Sequence, residues 1–126
     1  DINKLDECLV RIASLLKDYW NSIKDLFPEA FEIPEDYTIQ KTVGCYVFHL
    51  LFPHIYLFLK KRGDLSKNSI KKILMKTFKN FTKATGIEIN SEFWNRWTGN
   101  PLATGTGMKT VKKLANLLID SIPSDL

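Results

Sequence analysis

The chain has little of what cross-linked or metal-dependent domains rely on. Of its 126 residues, two are cysteine and two are histidine. Cys8 and Cys45 lie far apart in apolar, helix-like segments, so we expect two buried free thiols and no disulfide. Free thiols indicate a reducing compartment, and we predict a cytoplasmic protein. A chain of this length buries roughly two-thirds of its unfolded surface and folds without cross-links.

Proline and glycine are also sparse, with five and six residues. No segment alternates between apolar and polar residues over the length of a strand, and the strand-like fragment in residues 87–89 is too short to build a sheet. There is no internal repeat. These absences predict an all-α fold, in which residues 1–126 form one compact bundle of about five helices.

Long hydrophobic runs are limited to one, in residues 43–59. It has 17 residues and includes His49, Pro53 and His54, so it predicts a buried central helix and no membrane partner. The chain also has no secretory leader pattern. Because Asp1 leads directly into a helix-like pattern, we expect the chain to be a piece of a longer protein.

Apolar residues recur every three or four positions from Ile2 to Leu26, which predicts one long amphipathic helix that ends before Pro28. An acidic connector with two prolines follows. The later elements begin with a helix from Thr38 or Thr42 to about Lys61, which we expect to bend near Pro53. They continue with a helix capped by Ser66 and closed by Gly86, a short helix or turn in residues 91–97, a loop in residues 98–107, and a helix from Met108 to Ile122.

The apolar stripe of the first helix has two interpretations. We expect it to be intramolecular core. The alternative is that it joins the chain to a second copy or to other domains of a parent protein. In that case the chain is a protein-interaction or oligomerisation module without nucleic-acid binding.

The acidic and basic residues are separated along the chain. Residues 1–40 hold nine acidic and four basic residues, whereas nine of the 18 basic residues fall in residues 60–83 beside a single acidic residue, Asp64. The basic residues of this second segment are Lys60, Lys61, Arg62, Lys67, Lys71, Lys72, Lys76, Lys79 and Lys83. We predict that these nine residues bind an anionic partner.

Lys72, Lys76, Lys79 and Lys83 are spaced by four, three and four residues, which places them along one side of a helix. Duplex DNA carries one charge per roughly 1.7 Å of its axis, so a row of lysines can meet several phosphates. Lysine gives phosphate affinity without base readout, and we therefore predict sequence-independent binding of duplex DNA. The alternative is a solvated surface, or one neutralised by the connector carboxylates Glu29, Glu32, Glu35 and Asp36.

The loop in residues 98–107 is rich in glycine and threonine and precedes the last helix. A phosphate-loop motif needs lysine directly after its final glycine, and here Met108 intervenes. We therefore predict no nucleotide hydrolysis. Residues that could seat an anion at the helix N-terminus are Gly105, Thr106, Gly107, Lys109 and Thr110. The alternative is a connector with a threonine cap.

No other pattern predicts chemistry. His49 and His54 are five residues apart, which is not the spacing of a metal-binding pair, so we expect each to be a core or helix-end histidine. Cys45 and His49 have helical spacing, but their apolar neighbours indicate burial and not a nucleophile. We also expect Trp94 and Trp97 to cover the core. The sequence predicts no enzyme, no metal site and no cofactor.

Two segments together resemble a known family. Residues 19–31 read YWNSIKDLFPEAF and residues 39–44 read IQKTVG. This pair is similar to the C-terminal helical region of DGQHR-domain proteins, a group that includes the DndB-type proteins of DNA phosphorothioation systems. The Phe93-Trp94 pair and the loop at residues 105–107 match the end of such chains.

The Asp-Gly-Gln-His-Arg signature of that family is absent from the chain. The activity of the family's N-terminal module therefore cannot be assigned to any residue. The resemblance implies a C-terminal fragment of a DNA-linked protein, a regulator or accessory of DNA modification and defence. It supports the prediction of DNA binding independently of the charge pattern.

Overall fold

The computed structural model describes residues 2–105 and 107–125. Within them the chain forms six α-helices, two 3-10 turns and no strand. The helices are α1 (Ile2–Leu26), α2 (Pro28–Glu32), α3 (Thr42–Arg62), α4 (Lys67–Thr85), α5 (Pro101–Thr104) and α6 (Met108–Asp120). The 3-10 turns are Pro34–Asp36 and Ser91–Trp94. The all-α bundle predicted from the sequence is confirmed, with four long helices and two short ones.

The buried apolar residues form one core, and aromatic rings fill its centre. Phe48 of α3 lies with its ring centroid 5.4 Å from Trp94 and 6.4 Å from Tyr19. Phe27, directly after α1, packs 5.2 Å from Phe78 of α4. Aromatic pairs at these separations contribute about 0.5–1.5 kcal/mol each beyond the area they bury. The core therefore joins α1, α3, α4 and the Ser91–Trp94 turn.

Helix α1 has two halves with different surroundings. Leu15 is its first buried residue, and Tyr19 and Ile23 are fully buried. Residues 3–14 are all exposed, including Leu9 and Ile12. The expectation that the whole stripe is core is therefore wrong for the first half of the helix. Periodicity identifies the apolar side of a helix but not what covers it, and in the first half Ile12 lies at the edge of a cleft against α3 while it is still 42% exposed.

Helix α3 runs through the bundle and continues through Pro53. By length and composition alone it is able to cross a membrane. In this fold it is instead the core helix, since seven of its residues are buried against its neighbours. Gly44 in its first turn allows close approach of the preceding chain, because a Cβ there would lie 1.9 Å from the carbonyl oxygen of Ile39.

The predicted ends of α4 are confirmed. The Ser66 hydroxyl accepts a hydrogen bond from the backbone N–H of Ser69 at 3.3 Å, which is the usual side-chain cap of a helix N-terminus. Gly86 ends the helix in the left-handed region, with φ of 72°. The segment from residue 98 to residue 107 differs from the predicted loop, because Asn100 caps the short helix α5 inside it.

Some predictions of burial are wrong. Cys8 is exposed, because it lies in residues 4–14 of α1, which we call the free half of this helix. Cys45 is partly exposed. Trp94 is buried as predicted, whereas Trp97 is 65% exposed and its ring lies 4.4 Å from the Arg96 guanidinium. His49 and His54 are both exposed, because they lie on the outer side of α3.

Candidate phosphate-binding face

Helix α4 has one buried side and one basic side. Its buried residues are Ile70, Ile73, Leu74, Thr77, Phe78 and Phe81. Lys72, Lys76, Lys79 and Lys83 lie on the opposite side and are exposed; we call these four residues the lysine face. At 1.5 Å of rise per residue, the lysine face extends over roughly 16 Å.

The lysine face has no internal charge compensation. The ion pairs found in residues 2–105 and 107–125 involve Arg62, Lys67 and Lys71, and none involves these four lysines. Lysines at helical spacing repel one another by about 0.2–0.5 kcal/mol per pair. An external anion would relieve this repulsion, so the arrangement favours binding of a polyanion.

Lys67 and Lys71 belong to a different side of α4. Their ammonium groups both lie 3.7 Å from Oδ2 of Asp25, near the end of α1. All three side chains are about half exposed, so these contacts contribute little stability. The single Asp25 carboxylate nevertheless offsets half of the charge of this pair, whereas the lysine face has no such partner.

Lys60, Lys61 and Arg62 form the last turn of α3, where cations stabilise the helix dipole. Lys60 lies 5.7 Å from the centre of the Tyr56 ring. Arg62 pairs with Asp125 at 2.6 Å and lies over the Phe58 ring. These three residues thus have local roles at the end of α3, and we do not include them in the lysine face.

The predicted anion loop is partly occupied by its own hydrogen bonds. The Gly105 N–H donates to the carbonyl of Pro101 at 3.0 Å, and the Thr110 N–H donates to that of Gly107 at 3.1 Å. Thr106 lies outside the described residues. Lys109 is exposed on α6. Anion binding by this loop stays a prediction.

The acidic connector does not neutralise the lysine face, since the described ion pairs include none of its carboxylates. Glu29 instead accepts a hydrogen bond from the Ser91 hydroxyl at 2.7 Å, and that bond lowers the pKa of the Glu29 carboxyl. Arg96 donates to the backbone carbonyl of Glu35 at 3.1 Å. The connector is thereby fixed to residues 91–96, and the part of it that lies beside α4 faces Lys71 and not the lysine face.

Cys45 and His49, the two residues considered for catalysis, each contact a different neighbour. The Cys45 thiol donates to the Gln40 carbonyl at 3.6 Å, and partial burial raises its pKa, which makes it a poorer nucleophile. The His49 ring lies 5.8 Å from that of Trp20. Across the described part of the chain, no group of three His, Cys, Asp or Glu side chains is placed to hold a metal ion.

Sequence reasoning missed two features of the surface. The first is the pairing of Asp25 with Lys67 and Lys71, which joins residues more than 40 positions apart and leaves no local pattern. The second is the exposure of the first half of α1. Its periodicity is the same as that of the buried half, so only the fold separates the two.

No family model matches the chain, and neither a curated protein nor a solved structure matches it. The resemblance to DGQHR-domain proteins therefore stays a prediction.

Proposed function

We propose that the domain binds the phosphates of nucleic acid, foremost duplex DNA, through the lysine face. The observation that carries this proposal is the alignment of four exposed lysines, with no ion-pair partner among the described residues, on the side of α4 opposite its buried side. Over roughly 16 Å a duplex carries about nine phosphate charges, at one per roughly 1.7 Å, so each of the four lysines can meet a phosphate.

Binding of this kind is independent of sequence. The lysine face has no arginine pair and no cluster of asparagine or glutamine, which are the side chains that read base edges with two hydrogen bonds. Asn80, on the same helix, donates its amide N–H to the Ser121 carbonyl at 3.0 Å. The domain therefore supplies affinity and position, and any sequence preference comes from elsewhere.

The domain acts in this proposal without chemistry of its own. We assign it no catalytic residue, no metal and no cofactor, and we place it in the cytoplasm as a module of a DNA-associated protein. The family resemblance fits this role, since DGQHR-domain proteins are linked to DNA modification. Association through α1, the alternative predicted from the sequence, uses a different surface and is compatible with this function.

The test compares two double variants with the same change in net charge. Lys76→Glu with Lys79→Glu removes the centre of the lysine face, whereas Lys24→Glu with Lys41→Glu changes two exposed lysines elsewhere. We expect the first pair to weaken binding of a short DNA duplex at least tenfold in fluorescence anisotropy, and the second pair to weaken it less than threefold. Equal losses in both would contradict a role for the lysine face.

A further inference from the structure

The free half of α1 exposes an apolar stripe made of Leu5, Leu9 and Ile12, with exposed fractions of 59%, 55% and 42%. Leu16 continues it at the edge of the bundle. A helix of about 12–15 residues is marginally stable in water without packing. Large exposed apolar surfaces of this kind mark sites of association. The stripe therefore indicates a surface that is covered in the functional assembly.

The spacing of the stripe fits a second helix. Leu5, Leu9, Ile12 and Leu16 are separated in turn by four, three and four residues. Every second residue of this series is therefore seven positions further along the chain. This is the repeat by which two helices wind around each other. We propose that the occupant is the stripe of a second copy of this chain, packed antiparallel.

In an antiparallel pair, the spacing of the stripe determines which side chains pack against each other across the interface; each such pair is one layer. Leu9 of one copy packs against Ile12 of the other, and Leu5 packs against Leu16 of the other. Both pairs have residue numbers that sum to 21, so one register satisfies all the layers at once. The two-fold axis then passes between Val10 and Arg11. The same surface is used twice, as in the common symmetric dimer.

The charges beside the stripe complement one another in this register. On one flank, Asp6 and Lys17 of the second copy are offset by two residues along the helix axis, which is about 3 Å. On the other flank, Lys4 lies within one residue of the level of Asp18, or about 1.5 Å. A parallel pair in register would instead place each charged residue beside the same residue of the second copy, so that like charges would meet. Arg11 lies within one residue of the level of Arg11 of the second copy, beside the two-fold axis, and this like-charge contact opposes pairing. The four opposite-charge contacts of the dimer outnumber it, so the charge pattern favours the antiparallel arrangement.

The bundle adds a receiving surface at the base of the stripe. Ile12, Leu15, Phe52, Pro53 and Tyr56 line an apolar cleft of about 220 Å³ between α1 and α3. In the proposed register, Leu5 of the second copy packs against Leu16 and therefore lies beside this cleft. The contact thus extends from the helix pair onto α3. This increases the buried area toward the roughly 800 Å² per partner of a stable interface.

Other occupants fit less well. The free half of α1 carries Lys4, Asp6, Glu7 and Arg11, which sum to zero charge. A helix that lies on an anionic membrane is instead rich in lysine and arginine on its polar side. A nucleic acid would be repelled by Asp6 and Glu7. An uncharged, self-complementary stripe matches a second copy.

The test measures the molar mass of the whole chain by sedimentation equilibrium over a range of concentrations. We expect a reversible dimer, and Leu9→Asp should raise its dissociation constant at least tenfold. The matched control is Met75→Asp, an apolar residue of nearly equal exposure (54% against 55%) on α4, which should change the constant less than twofold. A monomer at every concentration, or equal effects of the two changes, would overturn the proposal.

Cross-linking tests the antiparallel register. In a Cys8→Ser background, Asp6→Cys and Ala13→Cys place thiols on the same flank, about 3 Å apart in level between the two copies. We expect a mixture of the two variants to form a disulfide-linked heterodimer under mild oxidation, and neither variant alone to do so efficiently. A dimer in which the mixture gives no more cross-linking than each variant alone would overturn the antiparallel register. DNA binding is read separately, because Leu9→Asp leaves the lysine face intact.

Discussion

The Tyr19 hydroxyl donates a 2.7 Å hydrogen bond to the backbone carbonyl of Phe48, and this bond joins α1 to α3 inside the core. Tyr19 lies one turn after Leu15, where α1 becomes buried. The bond therefore marks the boundary between the half of α1 that belongs to the bundle and the half that is free. It also fixes the free half relative to the cleft on α3.

Tyr19→Phe should lower the free energy of unfolding by about 1 kcal/mol, the usual net value of one hydrogen bond. The ring packing is retained, so the fold should not change. The control is Tyr46→Phe, which alters an exposed tyrosine of α3 and should have almost no effect. Urea unfolding at neutral pH measures both.

Alkaline pH gives a second check on the same bond. Burial raises the pKa of Tyr19 well above its ordinary value of 10.0. A raised pKa contributes stability below the ordinary value, and this contribution is lost as the pH rises toward the pKa of the folded state. The native chain should therefore lose stability above pH 10 more steeply than Tyr19→Phe. Parallel curves would contradict burial of the hydroxyl.

The start of α4 should depend on pH through Asp64. Hydrogen bonds from the hydroxyl of Ser69, at 2.5 Å, and from Ser66 lower the pKa of the Asp64 carboxyl. A lowered pKa stabilises the fold above the ordinary value, and the effect is lost as the pH falls through the pKa of the folded state. Asp64→Asn should thus be less stable than the native chain at pH 7 and equal to it in acid. Thermal melts of the two chains at pH 7 and in acid measure this difference, and an equal difference at both pH values would contradict the role of Asp64.

Gly44 should tolerate no side chain. A Cβ at this position would lie 1.9 Å from the carbonyl oxygen of Ile39, which is backbone and cannot rotate away. Gly44→Ala should destabilise the domain by about 3 kcal/mol, as overpacking of a core does. Gly107→Ala is the control, since nothing lies within 4 Å of its added Cβ. Similar unfolding midpoints for the two variants would contradict the close approach of residue 39.

Asp25→Asn should release Lys67 and Lys71 for an external anion. Because these ion pairs are exposed, stability should change by less than about 1 kcal/mol. Affinity for DNA should rise a few-fold, and the salt dependence should steepen by about 0.9 for each lysine that joins the contact. Glu32→Gln makes the same charge change on the neighbouring connector and should have a smaller effect. No difference between the two variants in DNA titrations would show that Asp25 does not restrain the lysines.

Local chemistry made much of the fold predictable. Ser66 and Gly86 end α4 because a hydroxyl can cap its first amides and a glycine accepts a positive φ. The spacing of lysines along α4 also placed them on one side before the fold was known. Such features depend on residues a few positions apart, and the sequence contains them directly.

The features that could not be predicted depend on contacts between residues that are far apart in the sequence. Leu9 and Ile23 occupy equivalent positions in the α1 repeat, yet one is exposed and the other buried. Asp25 could not be matched to Lys67 without knowing that α1 and α4 pack together. Charge alone also did not separate Arg62, which pairs with Asp125, from the free lysines of α4. In each case the tertiary packing selects among equal local alternatives.

The salt dependence of DNA binding tests the lysine face most directly. If all four of its lysines contact phosphates, the logarithm of the association constant should fall against the logarithm of salt concentration with a slope of about −3.6, equally for two duplexes of unrelated sequence. Changing Lys72, Lys76, Lys79 and Lys83 together to glutamine should bring the slope close to zero without unfolding the domain. A flat response of the native chain, or an unchanged slope in the glutamine variant, would contradict the account.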